Sequence, residues 1–177
     1  LSSYGVGLQG ELGLLDLIRR VHAIQGIARI RLGSLEPQII TEDFVRELSR
    51  LPKVCPHFHL SLQSGCDATL KRMNRRYSCQ EYEERCGLLR KYFLHPAITT
   101  DVIVGFPGET EEEFSQTKAF LEKVSFYEMH IFKYSRREGT RAASMPGQVP
   151  ESEKAWRSGE LIALEAGQSR EFRWNYI

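Results

Sequence analysis

The chain has 177 residues, 41% of them hydrophobic and 27% charged, with a net charge of +1, the composition of a soluble globular protein with one ordinary core. That balance excludes a globally basic nucleic-acid binder, so any RNA contact has to come from a local patch or from other parts of a longer protein. No apolar run approaches the roughly 20 residues that span a bilayer, and the opening LSSYGVGLQG lacks the charged-then-apolar order of a signal peptide; a cytoplasmic protein with no membrane partner is expected.

A first helix is predicted over residues 12–24, where Leu14, Leu15, Ile18 and Val21 share one face. Residues 28–33 (ARIRLG) read as a buried strand, and Thr41 caps a second helix with Phe44, Val45 and Leu48 inward. A strand over 57–62 (HFHLSL) is followed by Ser78 and Glu81, a capping box that opens a helix with Tyr82, Cys86, Leu89 and Phe93 on one side. A third strand spans 98–104 (ITTDVIV). Thr110 and Glu113 repeat the box, with Glu111 to Glu113 in the first turn, where the amide dipoles favour negative charge. A fourth strand covers 128–134 (EMHIFKY); after it Gly139, Pro146, Gly147 and Pro150 interrupt an irregular stretch before a last helix over 151–174.

The predicted strands start 29, 41 and 30 residues apart, the length of a strand, a crossover helix and two loops. That rhythm indicates parallel βα units, in an open sheet or a barrel, with reactive groups in the loops beyond the strand C-termini. Those loops are Ser34-Leu35-Glu36-Pro37, Gln63-Ser64-Gly65-Cys66-Asp67, Gly105-Phe106-Pro107-Gly108-Glu109 and Ser135-Arg136-Arg137-Glu138-Gly139-Thr140. Small residues and neutral polar groups there suit a polar, nucleoside-like ligand. The third loop lacks the lysine of a phosphate-binding loop, and no G-x-G-x-x-G follows a strand.

The four cysteines, Cys55, Cys66, Cys79 and Cys86, show no metal-binding spacing and read as buried or idle thiols. His57 and His59 alternate on one strand face, but no third ligand stands at a recognisable spacing, so both read as structural and no metal ligand is assigned. Asp101, inside ITTDVIV, needs partners if buried. The chain opens on Leu1 and closes on Tyr176-Ile177 without a polar tail, and is read as cut at both ends.

Residues 57–77 (HFHLSLQSGCDATLKRMNRRY), 99–114 (TTDVIVGFPGETEEEF) and 131–143 (IFKYSRREGTRAA) resemble the fourth-, fifth- and sixth-strand signatures of the radical S-adenosylmethionine (SAM) methylthiotransferases. RIRLGSLEP (29–37) resembles the third, and LSSYGVGLQG the second, with Ser2-Ser3 where Thr-Gly is usual. The resemblance implies an α/β fold, a partial parallel (β/α) barrel of radical SAM type truncated at both ends. Residues 1–140 would form the barrel without its first strand and cluster loop, and 141–177 an irregular segment and helix leading toward an absent RNA-binding β-domain. It also implies SAM, two [4Fe–4S] clusters whose ligands lie outside this chain, tRNA and an electron donor as partners, and a monomer.

The implied enzyme is a transferase that methylthiolates C2 of a modified adenosine beside the tRNA anticodon, the fragment being inactive alone. Gln63-Ser64-Gly65 is the form of the tRNA-modifying members, and SLQSGCD, LKRMNRRY and YSRREGT resemble the branch acting on threonylcarbamoyladenosine. The isopentenyladenosine branch is the alternative, because Lys133 and Arg141 stand where prolines are common in the first. By the same resemblance Gln63, Ser64 and Gly65 line the SAM ribose or methionine end, Asp101, Ile103, Gly105 and Phe106 the adenosine end, Tyr134 and Ser135 the adenine side, and Ser3, Tyr4 and Gly5 the methionine amino group. Lys71, Arg72, Arg75, Arg76, Arg136 and Arg137 are expected to contact tRNA phosphates; no residue is assigned a catalytic role. Outside the family, a barrel lyase or aldolase without SAM is weakened because Lys133 is the lone strand-end lysine; a catalytically dead nucleoside-binding scaffold is the other reading.

Overall fold

In the computed structural model the described residues are 1–5, 7 and 13–174. Three parallel strands, β1 (His57–His59), β2 (Ala97–Val104) and β3 (Glu128–Lys133), form a sheet in that order, joined by helical crossovers. α1 (Leu14–Ala23) and α2 (Glu42–Ser49) precede β1; α3 (Asp67–Arg72) and α4 (Cys79–Tyr92) lie between β1 and β2. α5 (Glu111–Val124) connects β2 to β3, and the long α6 (Glu151–Trp174) closes the described chain. The start of the first predicted helix at residue 12 lies outside the described residues.

The helix starts form as their sequences dictate. Thr41 Oγ1 accepts from Phe44 N at 3.2 Å, and both capping boxes are made: Ser78 N donates to Glu81 Oε2 at 2.7 Å and Thr110 N to Glu113 Oε2 at 3.1 Å. α3, which follows the second loop directly, was not anticipated from the sequence.

Side chains alternate across β2, so Ile98, Thr100, Val102 and Val104 are buried while Asp101 and Ile103 are half-buried. The buried face packs on Tyr82, Cys86 and Leu89 of α4 and Phe114 and Leu121 of α5, in one core that also holds Phe58, Leu60 and Leu62. Each such aliphatic or aromatic side chain contributes about 1.5–3 kcal/mol on burial. The other face of the sheet remains open along His59, Asp101 and His130, where a barrel has its interior.

The predicted strand over 28–33 is corrected by the structure. Among the described residues this segment makes one isolated parallel bridge, Ile30 with Val54 ahead of β1, and a second, Leu35 with Leu60, follows just beyond both the predicted strand and β1. The two bridges are out of register by one residue, five steps on one segment against six on the other, and His57 N, which would carry the ladder on after Cys55, turns back to Cys55 O at 2.7 Å instead.

Candidate functional site

The loop after β1 is shaped by an extra residue. Register pairs His59 with Thr99, yet Gln63 pairs with Val102, so four steps on one strand oppose three on the other, a bulge. Gln63 takes φ 76°, and its N–H and C=O are bonded to Asp101 O and Ile103 N at 2.9 Å each. Buried hydroxyls satisfy the carbonyls that the bulge frees. Tyr82 Oη donates to Leu60 O at 2.9 Å, and Tyr77 Oη reaches Ser61 O at 3.0 Å and Leu62 O at 2.8 Å. Burial pushes the Tyr77 phenol up to about 12, and Tyr82 well above its usual value, so both remain donors.

The bulge turns Gln63 into a cavity of about 680 Å³ beyond the strand ends, within the size range of small-molecule sites. Asp101, Ile103, Phe106, Tyr134 and Ser135 line it as well, together with Arg72, Arg75 and Arg137. Phe106 and Tyr134 meet edge to face with ring centroids 5.4 Å apart, making an apolar wall. Among the described residues Tyr134 Oη is buried without a hydrogen-bonding partner, and the Nε atoms of Arg72 and Arg75 are in the same condition. Buried polar atoms left unpaired beside a cavity are hydrogen-bonding capacity for a ligand.

Other candidates lie elsewhere. Ser64 is fully buried and its Oγ faces Thr117 Oγ1 at 3.2 Å. Gly65 is a packing glycine, since a Cβ there would come within 2.9 Å of Phe120. Gly105, at φ +71°, donates its N–H to Glu109 Oε2 at 2.7 Å, and a Cβ would meet Lys154 Cγ at 2.3 Å. Ser3 and Arg76 line an adjacent groove that shares Asn74 and Arg75 with the cavity; Tyr4 is exposed, and Gly5 sits beside it at φ 80°. Lys71 and Arg136 are exposed, and Arg72 is held by Glu113 with Nη1 to Oε1 at 2.8 Å.

Sequence reasoning missed the device that sets the third loop. Arg157 of α6 is 1% exposed and its Nη1 contacts Glu109 Oε2 at 2.7 Å and Glu109 O at 3.1 Å. Burial raises the Glu109 carboxyl from its ordinary value, opposed by the Gly105 N–H and Arg157. Three residues earlier, Lys154 Nζ donates to Tyr134 O at 3.1 Å and lies 5.4 Å from the centre of that ring. α6 therefore grips both the third and fourth loops. Also unforeseen, Met73, Asn74, Phe132, Arg141, Ala142 and Met145 complete the cavity. Lys154 and Arg157, one turn apart inside an otherwise exposed stretch, were the available signal.

The donor set does not fit an iron–sulfur cluster. Cys66 Sγ contacts Gln116 Oε1 at 3.2 Å, burial pushes the Cys86 thiol up to about 12, and burial raises Cys79 further. Among the described residues no three cysteines converge; the group of His, Cys, Asp and Glu donors that does is His59, Asp101 and His130. The cavity's lining, an aromatic wall of Phe106 and Tyr134 with the amide of Gln63, the carboxylate of Asp101 and the hydroxyl of Ser135 at its margin, has the chemistry that the adenine and ribose of SAM call for.

Comparison with known proteins identifies the family. Residues 10–121 match the Radical SAM superfamily. The chain is 42% identical over 164 residues to the tRNA-2-methylthio-N(6)-dimethylallyladenosine synthase of Caldicellulosiruptor saccharolyticus, covering 93% of this chain and 35% of that protein. It is 43% identical over 153 residues to the threonylcarbamoyladenosine tRNA methylthiotransferase MtaB of Bacillus subtilis, covering 86% and 34%. The chain thus spans about a third of the length of these curated relatives. Coproporphyrinogen III oxidase (HemN) from Escherichia coli, a radical SAM enzyme, superposes with a TM-score of 0.67 at 18% identity over 88% of this chain and 36% of that one, which establishes a shared fold. No described helix is long and apolar enough to cross a membrane. The chain belongs to the radical SAM superfamily, where its sequence places it beside the methylthiotransferases.

Proposed function

We propose that this chain forms the SAM-binding barrel walls of a cytoplasmic enzyme that methylthiolates C2 of an N6-modified adenosine in tRNA, threonylcarbamoyladenosine in the first instance. The observation that carries the reading is the convergence of Gln63, Asp101, Ile103, Phe106, Tyr134 and Ser135, drawn from three separate strand ends, on one cavity. SAM, once bound, supplies the hydrogen-abstracting chemistry of the superfamily. The residues of this chain bind and orient it: Ile103 and Phe106 cover its base, Tyr134 Oη and Ser135 hydrogen-bond at the adenine side, and Gln63 does so at the ribose. An apolar wall also excludes water, which keeps a reactive species from being quenched.

The cavity's arginines support an anionic substituent on the substrate. Arg137 and Arg141 enter it from the loop that follows β3, and threonylcarbamoyladenosine carries a carboxylate where the dimethylallyl group is purely apolar. Lys71, Arg75, Arg76 and Arg136 extend the positive surface outward as contacts for tRNA phosphates. The second reading, a dimethylallyladenosine substrate, is favoured by the name of the Caldicellulosiruptor relative and by Phe132, Ala142 and Met145 in the same cavity.

Two chimaeras test the proposal, one of the Bacillus enzyme and one of the Caldicellulosiruptor enzyme, each carrying this chain in place of its matching segment. Each is expressed in a host lacking the corresponding gene, and tRNA nucleosides are analysed by mass spectrometry. Recovery of the 2-methylthio form of threonylcarbamoyladenosine by the first supports the principal reading; recovery by the second alone selects the alternative. Failure of both, with stable soluble proteins, would contradict the proposal.

A further inference from the structure

Below the SAM cavity the open face of the sheet holds a second hollow of about 510 Å³, and in it three metal-ligand side chains come together from three adjacent strands. Asp101 and His130 are direct cross-strand partners in the register of β2 and β3. His59 pairs with Thr99 and leans forward along the strand, which brings its Nε2 to 3.3 Å from Asp101 Oδ2. The donor atoms of all three lie within 4.8 Å of one another.

Several features make this more than a chance polar contact. The His59 ring is oriented by its other nitrogen, since Nδ1 is 3.0 Å from Thr99 Oγ1, the outer-shell arrangement that aims a ligating imidazole. Among the described residues His59 is the single hydrogen-bonding partner of the Asp101 carboxylate, which leaves Oδ1 available. The His130 ring lies tilted against His59 with centroids 5.9 Å apart, and its nitrogens make no hydrogen bond within the described residues. His57, two residues away on the same face, is instead taken by Arg31, with Arg31 Nη2 2.8 Å from its Nε2.

We propose that His59, Asp101 and His130 form a divalent transition-metal site of the zinc, cobalt(II) or iron(II) class, with open coordination positions toward the lower hollow. Two imidazoles and one carboxylate suit those ions and disfavour magnesium and calcium, which prefer oxygen alone. Bonds of about 2.0–2.2 Å would draw the donors to roughly 3–3.5 Å from one another. The exposed His130 side chain supplies that contraction by rotating. A cation there would tie β1, β2 and β3 together on the side where the crossover helices do not reach. Asp101 borders both hollows, but the proposal does not depend on the SAM reading, because its probe is the metal alone.

Titration of the 177-residue chain with cobalt(II), followed by absorption spectroscopy, tests it. One equivalent of cobalt should give the visible bands of a nitrogen and oxygen ligand field without the near-ultraviolet band of thiolate coordination. His130→Ala, at an exposed position that does not threaten the fold, should weaken binding at least tenfold; His59→Ala should do the same, and His57→Ala should leave it unchanged. Absence of stoichiometric binding, binding that survives His130→Ala, or a thiolate band would overturn the site. Circular dichroism of each variant separates loss of a ligand from loss of fold.

Discussion

The guanidinium of Arg157 and the carboxylate of Glu109 lie 2.7 Å apart with each side chain only 1% exposed. Because Glu109 also accepts the Gly105 N–H, this pair transmits the position of α6 to the loop that borders the cavity. Arg157 reaches further to Glu153 and rests over the Phe114 ring at 5.4 Å, so α6 is locked to the start of α5 as well.

Removing one partner of such a pair strands the other charge away from water. Arg157→Met is expected to destabilise the chain by about 3–5 kcal/mol, whereas Arg157→Met combined with Glu109→Gln should recover much of that loss. Urea unfolding of the single and double variants checks both. Equal losses in the two would show that the pair is not the origin of the effect.

Tyr82→Phe deletes the hydroxyl that serves Leu60 O at 2.9 Å and approaches Thr100 Oγ1 at 3.3 Å. Leu60 O keeps the hydrogen bond from Thr100 Oγ1 at 2.6 Å, so the expected cost is that of one net hydrogen bond, about 0.5–1.5 kcal/mol. Hydrogen exchange at Gln63 and Ile103 should quicken in step, since both amides belong to the bulge that this hydroxyl supports. Unchanged exchange would separate Tyr82 from the geometry of the loop.

Gly65→Ala should overpack the junction with α5, because the new methyl would lie 2.9 Å from Phe120 and 3.0 Å from Thr117 O. A loss of about 1–3 kcal/mol is expected, partly relieved by Phe120→Leu in the same chain. Thermal unfolding distinguishes this packing role from a ligand contact, since the destabilisation is present without SAM.

Acid should unlatch α3 from α5. The hydrogen bond from Arg72 holds the Glu113 carboxyl below its ordinary 4.5, with the Thr110 N–H adding to it against the opposing cost of burial. A depressed folded-state value means that this stabilisation is complete above pH 4.5 and is lost as pH falls through the lower folded value. Melting temperature against pH should therefore drop less steeply in that acid range for Glu113→Gln than for the parent. Parallel curves would remove Glu113 from the latch.

The helices other than α3 were legible because their signals are local: Ser78 with Glu81, Thr110 with Glu113, and Thr41 with Phe44 act within one turn. Three of the four predicted strands were also legible, their alternation surviving in the burial of Ile98, Val102 and Val104. The segment around Ile30 was not, because its failure as a strand depends on a one-residue slip against the neighbouring segment, where His57 N turns back to Cys55 O. Ser64 looked like a ligand group in a polar loop, but the bulge that turns Gln63 outward sends Ser64 inward to Thr117. A register slip between two strands has no signature within either one. Arg157 and Glu109 are 48 residues apart, and His59 stands 42 from Asp101; such pairs exist in the topology alone.

The most direct measurement is a titration of the isotopically labelled 177-residue chain with SAM, followed by amide chemical shifts. Gln63, Ile103, Phe106, Tyr134 and Ser135 should shift together along one binding curve, while residues around Tyr127 and Phe172, at the opposite end of the sheet, stay still. Shifts that spread without saturating, or that centre away from those five amides, would contradict a SAM cavity at the strand ends.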